Sequence, residues 1–177
     1  GYNVGERIRA AITDLRIDGT GFERMLVLCS PGTSVTRAGR ISQRMLELEI
    51  YRLLALRGLP AAKQLMPLLK RCEIELATSV ADLERDDRAD KDLLHDLSAL
   101  AARLEQAAAE HGWRFAATGA YAALLQQRNA ELRERPVAGT QMFGEFLTRR
   151  LSPAMATVEA TSRRLDSLAA RVERTTA

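Results

Sequence analysis

The chain has 177 residues, 46% of them apolar, 28% charged and 5% aromatic, which is enough for a core and about the length of one domain. Global disorder is excluded by that apolar content, and 26 basic against 23 acidic residues leave a net charge of only +3, too small a field to suggest nucleic acid. Alanine, leucine, arginine and glutamate dominate, no dinucleotide, P-loop, HExxH or GxSxG motif occurs, and no run reaches the ~18 apolar residues of a membrane span.

The first element is a β-hairpin. "IRAAITDLRI" from Ile8 to Ile17 is compatible with a strand, "DGTG" at 18 to 21 is a turn signal, and "FERMLVLC" returns. An isolated hairpin is marginal in water, so this one should pack on the helices or join a sheet supplied from elsewhere, with its edge a candidate interface. Thr36 then reads as the N-cap of a helix running to about Arg57. Ala38, Ile41, Met45 and Leu48 form one stripe on it, and Leu46, Ile50, Leu53 and Leu54 form a second, which predicts a central helix buried on both faces.

"GLP" at 58 to 60 places Gly58 as a C-cap and Pro60 as the start of the next helix. Leu65, Leu69, Cys72, Leu76, Val80 and Leu83 follow in near-heptad rhythm, with Pro67 expected to kink or restart the helix. After the polar connection "ERDDRAD" come Leu93, Leu97, Leu100, Leu104, Ala107 and His111, spaced to pack antiparallel on the preceding helix. Gly112 is expected to end this helix, and another runs from there to about Arg135, where "RPVAG" stops it. The last helix begins near Gln141. Its seam of Leu147, Leu151, Val158, Leu165, Leu168 and Val172 belongs to an unbroken heptad, with a bend expected at Pro153. The fold class is mainly α: an antiparallel bundle of about five helices with a long C-terminal helix and a small N-terminal hairpin. In chain order it divides into 1–35, the hairpin and its connection; 36–140, the bundle; and 141–177, the long heptad helix.

The stretch "RFAATGAYAALLQQRN" allows two explanations. Arg114, Thr118, Tyr121 and Leu125 share a helix face, and with Arg128 and the loop "RPVAGTQ" they could form a small-ligand site in which arginine meets an anion and the hydroxyls donate. Packing explains it more simply: Ala116, Ala117, Gly119, Ala120, Ala122 and Ala123 let backbones approach closely, and Gly119, which costs about 1 kcal/mol in a helix, would be compensated there. No catalytic residue and no cofactor is assigned. Asp92, His95 and Asp96 share a face, but carboxylates near a helix start favour its dipole, and no metal is assigned. The arginines of the last helix are interleaved with acids and read as a solvated face. Cys29 and Cys72 are expected as buried free thiols in a reducing compartment.

Three segments, "RAGRISQRMLELEIYRLLALRGLP", "RFAATGAYAALLQQRNAELRER" and "GEFLTRRLSPAM", together with the hairpin "TDLRIDGTGFERMLVL", resemble in order and spacing an uncharacterised bacterial family of membrane-anchored proteins. The resemblance implies a larger N-terminal region, the part seen here, and a helical extension into hydrophobic segments absent from this chain. It carries no established activity. The expectation is a soluble, non-catalytic helical interaction or stalk module on the cytoplasmic face of a membrane-anchored protein. Its partner would be another protein or a second copy of itself, a homodimer formed through the seam.

Overall fold

The computed structural model describes residues 8–85 and 90–176. The elements in chain order are β1 (Ile8–Ile17), β2 (Glu23–Cys29), α1 (Val35–Leu56), α2 (Gly58–Arg85), α3 (Asp90–Leu132) and α4 (Phe143–Thr176). The chain is mainly helical, with the expected hairpin and long last helix. Part of the polar connection "ERDDRAD", residues 86–89, lies outside the described residues.

Among the described residues four helical segments replace the five expected, because Gly112 does not interrupt α3. The space its missing side chain would fill is open, and His111 and Phe115 stack across it with ring centroids 6.0 Å apart. A glycine costs about 1 kcal/mol in a helix, too little to break one whose apolar rows continue on both sides. Leu97, Leu104, Thr118, Leu125 and Leu132 are all buried at multiples of seven residues. The helix ends instead at Arg133, which takes the left-handed conformation (φ 49°) that usually falls to glycine.

Two other boundaries differ from expectation. Ser34, not Thr36, caps α1: its hydroxyl accepts the Arg37 N–H at 3.3 Å. Gly58 opens α2 rather than closing α1, from which only Arg57 separates it. Pro60 then falls in the first turn, where its missing N–H had no helical partner to lose. Pro67 and Pro153 lie inside α2 and α4, which continue through them.

The chain forms two compact units. One comprises residues 57–118 and 155–177. Its core joins Leu65, Leu69, Cys72 and Leu76 of α2, Leu97, Leu100, Leu104 and Phe115 of α3, and Val158, Leu165, Leu168 and Val172 of α4. Each such leucine contributes about 1.5–3 kcal/mol by burial. Gly58 meets Thr118 while Glu75 meets Arg103, so α3 retreats as α2 advances and the two are antiparallel. Arg164 closes on both oxygens of Glu73 and ties α4 to α2.

The other unit comprises residues 1–56 and 119–154. Ala11, Ile41, Met45, Leu48, Ala55, Leu125, Leu132, Phe143, Leu147, Leu151 and Ala154 are its buried apolar residues among those described. The Glu47–Arg128 and Tyr51–Tyr121 contacts run α1 antiparallel to the end of α3. The second stripe of α1 is not buried: Leu46, Ile50 and Leu53 are exposed, so α1 is an amphipathic helix covering one side of a core, not a central one. Cys29, at the end of β2, is exposed as well, and only Cys72 is buried.

The hairpin register runs Ala11↔Val27, Ile12↔Leu26 and Thr13↔Met25, then slips to Ile17↔Glu23. Three residues of β1 thus stand against one of β2, a bulge, with Leu15 in the left-handed region (φ 51°). The turn is built by Asp18, whose Oδ1 accepts the N–H groups of Thr20 (2.9 Å) and Phe22 (3.2 Å) while Gly21 supplies a φ of 86°.

Candidate functional site

The residues singled out on α3 take partners in different units. Arg114 lies over the ring of its neighbour Trp113, 5.1 Å from the centroid, and Thr118 is buried against Gly58, both in the unit that contains α2. Tyr121 stacks on Tyr51 at 6.3 Å in the unit that contains the hairpin. There Arg128 also bonds Glu131 at 2.9 and 3.1 Å and approaches Glu47 at 3.6 Å. Its guanidinium is therefore already met by two carboxylates.

Their spacing has a packing origin. Arg114, Tyr121 and Arg128 follow Leu93, Leu100 and Ala107 at successive sevens, and Thr118 occupies the neighbouring row. The close helix approach expected in this stretch falls at Thr118 and Gly58, not at Gly119, which has nothing within 4 Å of its missing side chain. Ala116, Ala120 and Ala123 are exposed beside it.

The seam of α4 is used inside the chain. Leu147 and Leu151 are buried in one unit, and Val158, Leu165, Leu168 and Val172 in the other. Self-association through these residues would require opening both cores. Asp92, His95 and Asp96 are exposed, and no group of three or more metal-ligating side chains occurs among the described residues.

The most unusual chemistry lies near the turn end of the hairpin, within one unit. Glu23 of β2 and Glu49 of α1 are hydrogen-bonded carboxyl to carboxyl. Arg52, one turn along α1, bonds both oxygens of Glu49, Nε to Oε2 at 2.6 Å, and lies 3.8 Å from Glu23 Oε2. The Thr13 hydroxyl donates to Glu23 Oε1 at 3.0 Å and accepts the Leu15 N–H at 3.1 Å, so one side chain links the acid to the bulge. Burial, and then the neighbouring Glu49, push the Glu23 carboxyl up to about 7, against the weaker pull of Thr13 and Arg52. Glu23 therefore keeps its proton up to about pH 7.

Arg52 also lines a cavity of about 530 Å³. Asp14, Leu15 and Arg16 of the bulge form one side, Leu56 continues from Arg52 on α1, and Phe146, Leu147, Arg150 and Leu151 of α4 form the rest. Three arginines and one aspartate thus surround an apolar floor. Glu23 and Glu49 do not line it. They pair with Arg52 from behind and cannot hand a proton directly to anything inside.

A protein family described as "Protein of unknown function (DUF3422)" matches residues 1–177. The chain belongs to this family. No curated protein and no solved structure matches it. The DUF3422 match spans both units and all six elements, so the hairpin with its carboxyl pair falls within the family's extent as fully as the helices do.

In this DUF3422 chain the sequence pattern assigns no role to Glu23, Glu49, Arg52 and Arg16, and Arg150 reads there only as part of a solvated face. Glu49 and Arg52 have the i, i+3 spacing of an ordinary surface ion pair. One signal was available: with the stripe Ile41, Met45, Leu48 facing inward, Glu49 and Arg52 lie beside that stripe rather than opposite it, where charge is unusual.

Proposed function

We propose that this chain is a non-catalytic interaction module whose docking element is the outer face of the hairpin, and that its occupant is an extended strand of a protein partner. One observation carries this reading: the hairpin carries apolar side chains on its outer face as well as on its inner one. Ala11, Met25 and Val27 face inward, as in any half-buried sheet, yet Ile12 and Leu26, directly opposite each other on the outer side, are 43% and 54% exposed. Leu28 continues that face, with Ile17 and Phe22 exposed at the turn end. Two-stranded sheets with one wet face alternate apolar and polar; two apolar faces suit a sheet that is covered twice. Each strand also presents one edge without a strand partner among the described residues, ready for strand addition.

The remainder of the reading rests on the resemblance stated above. The α4 heptad is a stalk leading toward a membrane anchor of a bacterial protein, and the free thiols favour its cytoplasmic side. No described helix is itself long and apolar enough to cross a membrane. Removing the sequence beyond residue 177 from the intact protein should release it from the membrane fraction; unchanged partitioning overturns the anchor.

The docking face is tested with a photo-crosslinking amino acid placed at position 12 or 26 in the cells that make the protein. Adducts heavier than the chain are expected from both positions and not from exposed position 149, and Leu26→Lys should abolish the adduct at position 12. An adduct of twice the chain's mass would make a second copy the occupant and overturn the assignment to a different protein. No adduct from either position overturns the docking face itself.

A further inference from the structure

We infer that the cavity between the hairpin bulge and the N-terminal turns of α4 binds a small organic anion with an apolar tail, of which a medium-chain carboxylate is the simplest member. This site is separate from the outer hairpin face and does not depend on that reading. Three features of its geometry point to this chemical class.

The first is uncompensated positive charge. Arg52 is held by Glu49, but neither Arg16 nor Arg150 has a carboxylate partner among the described residues. Arg150 is instead carried over the ring of Phe146, 5.6 Å from its centroid, which fixes the guanidinium at the cavity edge. The only carboxylate lining the cavity is Asp14, and its Oδ1 accepts the Arg16 backbone N–H at 3.1 Å. An anionic head fits this rim. The second is the apolar floor of Leu56, Phe146, Leu147 and Leu151, which has nothing to offer inorganic phosphate and suits a hydrocarbon tail. A volume of about 530 Å³ lies within the usual range of about 300–1,000 Å³ for small-molecule sites. The third is the backbone. Leu15 is held in the left-handed region (φ 51°), which side-chain-bearing residues rarely adopt, and here it shapes the cavity wall.

The carboxyl pair behind Arg52 makes this site sensitive to pH. The groups facing Glu23 are Thr13 from β1 and Glu49 and Arg52 from α1. While Glu23 holds its proton, the charges on and behind the wall are those of Arg16, Arg52, Arg150, Asp14 and Glu49, and they sum to one positive. Ionisation of Glu23 removes that excess. Affinity for an anion therefore falls as pH rises through about 7, and by linkage a bound anion favours the protonated form.

The test is calorimetric titration of the 177-residue chain with octanoate, with octanol and inorganic phosphate as controls, at pH 6 and pH 8. Octanoate should bind at pH 6 at least tenfold more tightly than either control, and several-fold more weakly at pH 8. Arg16→Gln, an exposed strand position whose replacement leaves the core intact, should weaken binding several-fold. Arg16→Gln with Arg150→Gln should abolish it while circular dichroism stays unchanged. Glu23→Gln should retain binding and flatten its pH dependence, an outcome that a merely structural role for Glu23 does not produce. Octanol binding as tightly as octanoate overturns the anion site, and phosphate binding as tightly overturns the tail. Undiminished binding in the double arginine variant overturns the location.

Discussion

Replacing Glu23 with Gln should stabilise the protein above neutral pH. A folded-state value of about 7 lies roughly 2.5 pH units above the ordinary glutamate value of 4.5, which at 1.36 kcal/mol per unit sets a ceiling of about 3.4 kcal/mol. The side chain keeps 12% of its surface in water and is partly screened, so about 2 kcal/mol is expected. Because the folded state holds the proton more tightly than the unfolded chain, the favourable contribution is complete below pH 4.5. It is lost as pH rises through about 7. The glutamine amide needs no proton and can still donate to Glu49. Urea denaturation of both proteins at pH 4, 5.5 and 8 measures the effect: equal stability at pH 4, and the variant ahead by about 2 kcal/mol at pH 8. Comparing the two proteins cancels the contribution of Glu134, whose carboxyl burial also raises. Glu73 and Glu75, held low by Arg164 and Arg103, act at the acid end and lie outside this window. If wild type and variant stay parallel from pH 5 to 8, the carboxyl pair does not hold a proton and the reasoning fails.

Gly58→Ala should cost about 1–3 kcal/mol, since a methyl there would lie 3.1 Å from the Thr118 Cβ and closer still to its hydroxyl. Adding Thr118→Ala should recover most of that loss in a double-mutant cycle, and additive losses would refute the contact. Gly119→Ala should instead stabilise the protein by about 1 kcal/mol, because the position is helical, exposed and open; thermal melting that falls would reveal a close neighbour. Leu104→Ala should cost about 2–5 kcal/mol in chemical denaturation, while Leu94→Ala, one heptad row away and 52% exposed, should change stability by less than about 0.5 kcal/mol.

Helices were legible in this sequence wherever a seven-residue rhythm held. The rhythm from Leu93 to Leu104 predicts a row packed on the preceding helix, and it is buried, whereas the seam from Leu147 to Val172, expected as a surface for self-association, is buried within the chain. The misreadings share one cause: local punctuation was allowed to outweigh the rows. Gly112 looked like a stop and Gly58 like a cap, yet the apolar rows of α3 run straight past Gly112, and Gly58 is small for the sake of Thr118, sixty residues away. The second stripe of α1 failed differently. Leu46, Ile50 and Leu53 have the right period for burial, but period reports a shared face, not whether anything covers it. The cavity was not legible, because it needs residues 14–16, 52–56 and 146–151 together, and no local pattern joins a strand bulge to two helices.

The two units also differ in how consistently their residues obey the rules of a stable fold, and that difference favours the hairpin unit as the place to test for binding. In the unit built from α2, the start of α3 and the end of α4, apolar residues close a three-helix core. Its interhelical ion pairs, Glu73–Arg164 and Glu75–Arg103, sit at the surface, where they set register and contribute little. In the hairpin unit, a carboxyl pair is buried, a leucine occupies a glycine conformation, and two arginines beside a cavity lack carboxylate partners among the described residues. Among the described residues, nine large apolar side chains of the hairpin and α1 face water there: Ile12, Ile17, Phe22, Leu26, Leu28, Val35, Leu46, Ile50 and Leu53. Each of these departures destabilises the unit taken alone, and departures of this kind gather at functional sites. An anion at the arginines would lower the cost of the first three, and a strand on the outer hairpin face would cover several of the exposed side chains. The helical unit also exposes large apolar side chains, Met66, Ile74, Leu83, Leu94 and Trp113, but it has no left-handed leucine or close carboxyl pair among the described residues, so loss of binding without loss of stability should map to the hairpin unit.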